Sequence, residues 1–377
     1  MEARYIKGVG MTKFSVEDRA TWDMAYEATL EALDSADMSM KDIDAAVVST
    51  VDTLVNNERQ RNYPSIVSSF IKKKVPIIRV PAVCGGSGIA LWTALRLRYN
   101  NILVLGVDKI STNKTEIIVN EIMNALDRVW EQEEGLNFPA ENALVAQQHM
   151  LKYGTTTDDL ALISLKNHEN SYLNPKTPFY KKKVTLEQIK NSPIIASPFR
   201  LFDCTMNVNG SAACIITKDK TDIKVVGSGM ATDYLAPFER EDMATWRATI
   251  KASEIAYKNA DLSPEDINIV EVHDAFTILE LIAYEDLGFC KKGEGAKLIR
   301  DGTTKLDGKL PINTSGGLKA RGHPISATGL AQIYELVKQL RREAGDRQVS
   351  KAKTALAQNI GGAGGSIAVN ILKRIGG

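Results

Sequence analysis

Short apolar stretches alternate along the chain with longer segments of mixed polarity. Residues 5–10, 45–48 and 102–106 have the length and composition of strands, and residues 22–36 form a helix-like segment between the first two. The same alternation starts again at residue 223. Strands that alternate with helices predict an α/β fold in which helices cover mixed sheets.

The alternation reflects an internal duplication. A helix-like segment that begins at a tryptophan is followed by a short turn and a strand-like segment, and this sequence of features occurs twice. The matching positions keep one constant spacing: Trp22, Ala36 and Asp42 in the first copy, and Trp246, Ala260 and Asp266 in the second. A coincidence between two amphipathic helices would not preserve three features at one spacing, so we predict two similar βα-type halves.

One stretch, residues 112–199, has no counterpart in the second half. It is polar and carries a run of three lysines and several prolines near its end, so we interpret it as an inserted lobe of helices and loops. The predicted organisation is an N-terminal half formed by residues 1–111 and 200–220, the insertion, and a C-terminal half formed by residues 221–377.

Composition and charge exclude several classes of protein. The 377 residues are 44% hydrophobic and 25% charged, which is sufficient for a large buried core. The formal net charge is +1, so no basic excess points to nucleic acid or to an anionic membrane. No apolar run approaches the ~18 residues of a membrane-spanning helix, and the charged N-terminus does not resemble a signal peptide.

The four cysteines indicate neither a disulfide framework nor a metal site. They form no Cys-x-x-Cys pair and no zinc-ligand spacing, and four cysteines in a chain of this length fit a reducing cytoplasm. We interpret Cys204, Cys214 and Cys290 as packing residues. The fourth, Cys84, has different surroundings.

Cys84 is the first candidate for covalent chemistry. It lies between an apolar strand-like stretch and the glycine-rich residues 85–88, at the predicted beginning of a helix. The positive end of a helix dipole favours a thiolate, and the glycines let a substrate approach and free backbone N–H groups for an oxyanion. Free cysteines are also common in protein cores, so Cys84 alone would not identify a nucleophile.

Two histidines occupy positions that would complete such a site. His323 lies in a glycine-rich turn that matches the Cys84 turn of the other half, so a pseudo-twofold arrangement would bring the two helix starts together. An imidazole there could take the proton of the thiol. His273 follows the predicted strand 269–272, and α/β proteins build their sites at the carboxyl ends of strands. Each histidine alone could equally be a capping or strand-edge residue.

The glycine-rich residues 359–365 follow the last predicted core strand. They lack the Lys-Ser/Thr sequence of a phosphate-binding P-loop, and no long helix follows them. A hairpin that presents backbone N–H groups to an oxyanion fits better. The remaining histidines, His149 and His168, are expected on the surface or in loops.

Together these segments resemble the thiolase superfamily over essentially the full length of the chain. The strongest similarities are residues 84–88, the segment 316–329 with its Gly-His-Pro sequence, and the hairpin 359–365. Residues 140–142 (Ala-Glu-Asn) resemble part of the family's loop domain, which covers coenzyme A. The resemblance implies the thiolase fold, with two duplicated βαβαβ-type halves, mixed sheets, a five-layer α-β-α-β-α arrangement and an inserted loop domain.

Two departures resemble the sterol-carrier-protein-2 type and the archaeal thiolases. Residues 273–276 read His-Asp-Ala-Phe where the best-known thiolases have Asn-Glu-Ala-Phe, and Asn359 replaces their second catalytic cysteine. Many sterol-carrier-protein-2 types carry a cysteine at the position of Ala275. Neither usual position therefore supplies a second cysteine here.

The resemblance implies an acetyl-CoA C-acetyltransferase that needs no cofactor. Cys84 takes an acetyl group from acetyl-CoA after His323 activates the thiol, and the enolate of a second acetyl-CoA attacks it to give acetoacetyl-CoA, reversibly. Backbone N–H groups of Cys84 and Gly361 would hold one oxyanion, His323 and His273 the other, with Asn359 as a possible support. His273 is the nearest titratable candidate for the base of the condensation, unless another group in the pocket takes the proton.

Three alternatives stay open at this point. The chain could be a thiolase for longer 3-ketoacyl-CoA chains, or a decarboxylating ketosynthase, because a Cys-His-His set also suits that chemistry. It could also be a thiolase-like subunit without catalytic activity that scaffolds partners, although the retained cysteine and histidines favour an enzyme.

The partners follow from the resemblance alone. It implies acetyl-CoA, CoA and acetoacetyl-CoA as ligands, a homodimer or tetramer, and a cytoplasmic role in the mevalonate pathway of isoprenoid biosynthesis. A multienzyme complex with 3-hydroxy-3-methylglutaryl-CoA synthase and a small zinc-ribbon/OB-fold protein is expected on the same basis.

Overall fold

The computed structural model describes residues 2–51, 56, 58, 60–111 and 114–376. Its strands are β1 (Arg4–Met11), β2 (Ala45–Ser49), β3 (Ile77–Arg79), β4 (Ile102–Asp108), β5 (Ile194–Ala196), β6 (Phe199–Arg200), β7 (Gly210–Thr217), β8 (Ile223–Thr232), β9 (Ile269–Glu271), β10 (Thr354–Gly361) and β11 (Ser366–Arg374). Its α-helices are α1 (Thr21–Ser35), α2 (Tyr63–Ile71), α3 (Gly86–Ala94), α4 (Thr115–Ile122), α5 (Phe138–Tyr153), α6 (Thr157–Tyr172), α7 (Leu186–Lys190), α8 (Arg247–Ala260), α9 (Thr277–Asp286), α10 (Gly295–Arg300), α11 (Gly317–Arg321) and α12 (Thr328–Arg341). No helix in these ranges is long and apolar enough to cross a membrane.

The large sheet is mixed and has the strand order β3-β2-β4-β7-β1-β8-β11-β10-β9. The pairs β2–β3, β2–β4 and β9–β10 are parallel, whereas the strands in the middle pair antiparallel. The first five strands come from the first half of the duplication and the last four from the second. A short antiparallel pairing of β1 with β8, in which Arg4 lies opposite Val225, joins the two predicted sheets into one strand order.

Helices cover both faces of the sheet, so its central strands are buried on both sides. In β4, Ile102 and Val104 belong to a core cluster shared with α3 and α12, which pack between the two halves. The intervening Leu103 and Leu105 face the opposite way and pack with α1 and α2. Successive side chains of a strand point to opposite faces, so this apolar run fills two cores. The predicted α/β fold with mixed sheets is confirmed.

Both halves contain the same close contact between a helix and a glycine of the neighbouring strand. A Cβ on Gly10 of β1 would lie 2.1 Å from the carbonyl oxygen of Ala28, so α1 packs directly on the strand backbone. The equivalent contact in the second half joins Gly229 of β8 to Ala252 of α8, at 2.0 Å. Only glycine permits helix and strand to approach so closely.

The turns after these helices are also repeated. The backbone N–H of Ser39 donates to the Asp42 carboxylate at 2.8 Å, and Ser263 and Asp266 make the same contact at the same distance. These capping boxes stabilise short 3₁₀ helices that lead into β2 and β9. The repeated residue types therefore mark a repeated structure, while the domain boundaries themselves stay a prediction.

The predicted insertion contributes no strand to the large sheet within its described residues. It contains α4 to α7 and β5, which pairs with β6 at the predicted end of the insertion. Helix α6 packs against α9, α10 and α11 of the C-terminal half. Residues 112 and 113, at the predicted beginning of the insertion, lie outside the described residues, as do Met1 and Gly377 at the ends of the predicted halves.

Candidate active site

Cys84 lies in a tight turn between β3 and α3. A 3₁₀ turn at Val83–Gly85 leads directly into the helix, and Val83 has a φ of 48°, which is unusual for a β-branched residue. A Cβ on Gly85 would lie 2.8 Å from the nitrogen of Gly361, so the turn packs against the closing glycine hairpin. Strained backbone of this kind persists where surrounding structure holds it, commonly at functional sites.

The Cys84 thiol is buried and protonated at rest. Burial raises the pKa of Cys84 to about 12, and the nearby Asp108 carboxylate raises it further. The backbone N–H groups of Gly362 and of Cys84 itself face the sulfur and act in the opposite direction. We expected the helix start to favour a thiolate, but in the free site burial outweighs the amides, so a thiolate at Cys84 forms only if a base takes the proton.

His323 enters the site from the matching turn of the other half. Gly322 before it has a φ of 100°, and the His323 N–H donates to the carbonyl of Met206 at 3.0 Å. Its Nδ1 lies 2.6 Å from Oγ1 of Thr328, at the beginning of α12, so Nε2 is the nitrogen left for the cavity. Burial, followed by the charge of Arg321, lowers the pKa of His323 to about 3, which keeps the ring neutral.

His273 follows β9 and faces His323. The two ring centroids are 5.2 Å apart and the rings are perpendicular. Burial, and then the neighbouring His323 and Arg321, hold the pKa of His273 well below its ordinary value. Both imidazoles line the same cavity as Cys84.

Asn359 determines which nitrogen of His273 carries the proton. Its Oδ1 accepts the backbone N–H of Gly88 at 3.1 Å, and its Nδ2 lies 3.1 Å from the carbonyl oxygen of Cys84 and 3.2 Å from His273 Nδ1. Exchanging Oδ1 and Nδ2 would oppose donor to donor and acceptor to acceptor, so this orientation is fixed. Nδ2 can only donate, so His273 Nδ1 accepts and its proton is on Nε2.

The expected base role of His273 does not fit this pattern. A neutral imidazole with a proton on Nε2 and an occupied Nδ1 has no lone pair to offer the cavity. His273 is therefore arranged as a hydrogen-bond donor. The sequence could not reveal this, because the tautomer depends on the orientation of Asn359.

A buried polar network holds the His273 turn from behind. Asp274 accepts from the backbone N–H of Leu318 at 2.6 Å and from Asn167 Nδ2 at 2.7 Å. Asn167 also donates to Glu280, which lies on α9. Burial, followed by the charge of Glu280, raises the pKa of Asp274 to about 7. This network links the predicted insertion to the segments that carry His273 and His323, and sequence reasoning missed it.

Asp108 connects the Cys84 side of the cavity with the His323 side. It ends β4, and its carboxylate accepts from the Val51 N–H at 2.9 Å and from the Ser326 N–H at 2.5 Å. Burial raises the pKa of Asp108 to about 6 despite these donors. No motif distinguished Asp108 in the sequence, since a carboxylate at the end of a strand has many ordinary roles.

The turns that carry Cys84, His273 and His323 line a cavity of ≈130 Å³. Its polar wall contains Cys84, His273, His323, Cys204, Thr205, Asn207 and Asn142, together with Gly362. Its apolar wall consists of Val119, Ile122, Phe138, Pro139, Ala275, Phe276, Leu279 and Ile325. A mostly apolar cleft with a few converging polar groups is typical of a small-molecule site.

Most of the predicted site residues come together here. Cys84, His273 and His323 line the cavity, and Asn359 lies directly behind them. Gly361 is an exception, because it packs against Gly85 while Gly362 lines the cavity and directs its N–H towards the Cys84 sulfur.

Cys204 packs against the hydrophobic core, as we interpreted it, and it also lines the cavity, which the sequence did not reveal. Two other expectations from the sequence, both about histidines, are wrong. His149 is buried and lies 2.9 Å from Oγ1 of Thr155 and 3.1 Å from Glu285. His168 is buried against Phe179 and Phe202, and burial lowers its pKa to about 2. Both histidines were expected at the surface or in loops. That expectation failed because the residues that bury them include partners from other segments of the chain.

Comparison with known sequences gives a consistent result. The family profile described as "Thiolase C-terminal domain-like" matches residues 229–374. An acetyl-CoA acetyltransferase of Methanothermobacter thermautotrophicus is 41% identical over 97% of this chain and 98% of its own length. The acetyl-CoA acetyltransferase of Methanocaldococcus jannaschii is 36% identical over the same shares. Sterol carrier protein 2 of Bos taurus is 34% identical over 98% of this chain and 72% of its own.

Solved structures agree with the sequence comparison. The Ltp2-ChsH2(DUF35) aldolase superposes with a TM-score of 0.86 at 25% identity, covering 99% of this chain and 98% of that one. Human mitochondrial 3-ketoacyl-CoA thiolase superposes with a TM-score of 0.74 at 16% identity, covering 100% and 99% of the two chains. The second likeness shows the shared fold.

Proposed function

Because the chain belongs to the thiolase superfamily and is an acyltransferase of that family, we propose that it is an acetyl-CoA C-acetyltransferase that condenses two acetyl-CoA molecules. The observation that carries the proposal is the meeting of Cys84, His273 and His323 on one cavity. The resemblance to archaeal and sterol-carrier-protein-2-type thiolases is confirmed by the relatives. A scaffold without catalytic activity is not supported.

The first half-reaction transfers an acetyl group to Cys84. Nε2 of His323 takes the thiol proton while Nδ1–H donates to Thr328, and the sulfur attacks the thioester carbonyl. The backbone N–H groups of Cys84 and Gly362, which face the sulfur, hold the oxyanion of the tetrahedral intermediate. Removal of one such donor typically costs about 3 kcal/mol of transition-state stabilisation.

The second half-reaction forms the carbon–carbon bond. The thioester oxygen of the second acetyl-CoA accepts from His273 Nε2–H and from the protonated His323, which stabilises its enolate. The enolate carbon attacks the acetyl group on Cys84, and acetoacetyl-CoA leaves as the thiolate is restored. Asn359 supports this step because it keeps the His273 proton on the nitrogen that faces the cavity.

The apolar wall of the cavity is also compatible with substrates that carry longer acyl chains. Phe138, Phe276 and Leu279 provide surface that a longer acyl chain could contact, so a 3-ketoacyl-CoA thiolase is the alternative. Steady-state rates across acyl-CoA lengths separate the two functions. We expect kcat/KM to be highest for the acetyl and acetoacetyl substrates, and a maximum at longer chains would overturn the assignment.

We further propose a cytoplasmic role in the mevalonate pathway, in a complex with 3-hydroxy-3-methylglutaryl-CoA synthase and a small zinc-ribbon/OB-fold protein. The similarity to the Ltp2-ChsH2(DUF35) aldolase, an assembly of two components, supports a partner of this kind. Direct transfer of acetoacetyl-CoA would help a condensation that its equilibrium disfavours. Co-elution of the co-expressed proteins on size-exclusion chromatography tests the complex, and separate elution at micromolar concentration contradicts it.

Intact-mass spectrometry tests the proposed chemistry directly. The purified protein is mixed with acetyl-CoA, quenched and weighed, and an increase of one acetyl group that maps to Cys84 is expected. A Cys84→Ser variant serves as the control for acetylation elsewhere. No adduct in the wild-type protein would refute the enzyme assignment.

A further inference from the structure

The proposed condensation requires a base that the site described so far does not supply. The α-carbon of the second acetyl-CoA must lose a proton, and positioned proton transfer contributes about 10²–10⁴-fold. His273 is locked as a donor by Asn359, and His323 already holds the proton of Cys84. The amide of Asn359 does not titrate. Among the described residues that line the cavity, one titratable group remains without a role, and it is Cys204.

Cys204 lies against the His273 turn. The segment that carries it runs antiparallel to that turn, with Cys204 opposite Phe276 and the Thr205 N–H donating to the Ala275 carbonyl at 2.9 Å. Ala275 carries only a methyl group, and both residues line the cavity. Its thiol donates to the Arg200 carbonyl at 3.7 Å, and Cys204 lines the cavity beside the turn on which His273 would hold the enolising substrate.

A second observation shows that this part of the cavity is built for a ligand. The side chain of Asn142, on α5, lines the same cavity and is 97% buried. Its Nδ2 donates to the Phe138 carbonyl at 3.0 Å, while its Oδ1 has no hydrogen-bond partner among the described residues. An orphaned amide oxygen in an apolar wall is costly, so it fits a substrate that brings an N–H donor, such as the amide of a pantetheine arm.

We propose that Cys204 is the acid/base that moves the α-proton in the condensation, an inference that rests on the proposed function. Two cysteines of the same cavity would then have different roles. Cys84 forms the covalent bond, and Cys204 handles the proton.

The proton balance closes with these residues alone. When Cys84 attacks the first acetyl-CoA, its proton goes to His323, and the departing CoA thiolate takes a proton from Cys204 to give free CoA. The resulting Cys204 thiolate removes the α-proton of the second acetyl-CoA and becomes a thiol again. The enolate then attacks acetyl-Cys84, and the released Cys84 thiolate recovers its proton from His323.

The resting state of Cys204 suits this sequence of steps. Burial, followed by the charge of Asp203, raises the pKa of Cys204 to about 12, while the Lys319 ammonium acts in the opposite direction. Cys204 is therefore a thiol at rest, ready to protonate the leaving CoA. Once formed, a thiolate with a high pKa is a strong base, and it exists only after the first half-reaction.

Two readouts on the full-length enzyme test the assignment. One is acetylation of Cys84 followed by intact mass, and the other is exchange of the acetyl-CoA methyl protons into D₂O followed by NMR. We expect Cys204→Ala and Cys204→Ser to lose exchange by about 100-fold or more. Acetylation should persist, because a CoA thiolate can leave without an acid at pH values near the thiol pKa of about 8.5. Cys290→Ala, a partly buried thiol outside the cavity, is the matched control and should retain both activities.

The outcomes separate this inference from the proposed function. If wild-type protein exchanges and Cys204→Ser exchanges at a similar rate, Cys204 is not the base, while the thiolase assignment stands. If wild-type protein is never acetylated at Cys84, the proposed function fails and the role of Cys204 fails with it. The serine variant keeps nearly the same shape, so loss of exchange with intact acetylation reports chemistry rather than folding.

Discussion

The side-chain nitrogen of Asn359 lies 3.2 Å from Nδ1 of His273. The same amide contacts the Cys84 carbonyl, and its oxygen receives the Gly88 N–H, so one side chain joins the nucleophile turn to the imidazole. A cysteine at position 359 could not make these three contacts. Asn359 therefore positions the His273 ring, at the place where the resemblance to the best-known thiolases would put a second cysteine.

Asn359→Asp tests this positioning role. A carboxylate facing His273 Nδ1 accepts rather than donates, so the ring proton moves to Nδ1 and the donor facing the cavity is lost. We expect methyl-proton exchange of acetyl-CoA to fall about 10²–10³-fold, with a smaller loss in Cys84 acetylation. Nitrogen-15 NMR of the histidine ring should report the change of tautomer, and the wild-type tautomer in the variant would contradict the argument. Asn370→Asp, a buried asparagine of β11, controls for the added charge.

Cys84→Ala should abolish acyl transfer and leave the fold intact. The residue precedes α3 with its thiol towards the cavity, so a methyl group fits the turn without strain. Thiolysis of acetoacetyl-CoA and the thermal midpoint are the two measurements. Activity in the purified variant would remove Cys84 as the nucleophile.

The Cys84 thiol of the free enzyme should remain protonated near neutral pH and react slowly with alkylating reagents there. Because burial raises its pKa to about 12, the thiolate fraction grows with pH throughout the neutral and mildly alkaline range. We expect the rate of alkylation of Cys84 by iodoacetamide to rise about tenfold per pH unit from pH 7 to pH 10. Peptide mapping identifies the alkylated residue. A plateau below pH 9 would indicate a thiolate stabilised before substrate arrives.

His323→Ala should slow the first half-reaction more than it changes substrate affinity. The variant loses the nitrogen that takes the Cys84 proton, and general-base removal costs about 10²–10⁴-fold. Single-turnover acetylation, measured against acetyl-CoA concentration, separates the rate constant from binding. The wild-type ring stays neutral because its pKa is about 3, so protonation of His323 should not produce an acid limb between pH 5 and pH 8. Acetylation by the variant at the wild-type rate would exclude His323 as the base.

Asp108→Asn should make the Cys84 thiol more acidic. The Asp108 carboxylate raises the pKa of Cys84, so removing its charge should increase alkylation of Cys84 at pH 8. The amide cannot accept all the donors that the carboxylate accepts, so we expect a loss of about 1–3 kcal/mol in the free energy of unfolding. Asp286→Asn removes a buried carboxylate elsewhere and is the control. Slower alkylation in Asp108→Asn would contradict the prediction.

The sequence by itself determined the fold class and identified Cys84 as the candidate nucleophile. The segments that begin at Trp22 and Trp246 have the same spacing of residue types, and both form a capping box and a close helix–strand contact. These features depend on nearby residues, so they repeat wherever the residue types repeat. Cys84 and His323 were recognisable because each lies in a glycine-rich turn before a helix. Such turns depend on a few adjacent residues, so a single sequence shows them.

Only the tertiary structure decided the tautomer of His273 and which residues line the cavity beside it. The tautomer of His273 depends on Asn359, 86 positions along the chain, and the position of Cys204 beside Ala275 depends on pairing between segments about 70 residues apart. His149 and His168 are likewise buried against partners that are remote in sequence, Glu285 and Phe202. Hydrogen-bond direction and cavity lining are set by contacts between segments that are remote in sequence, and no local pattern encodes them.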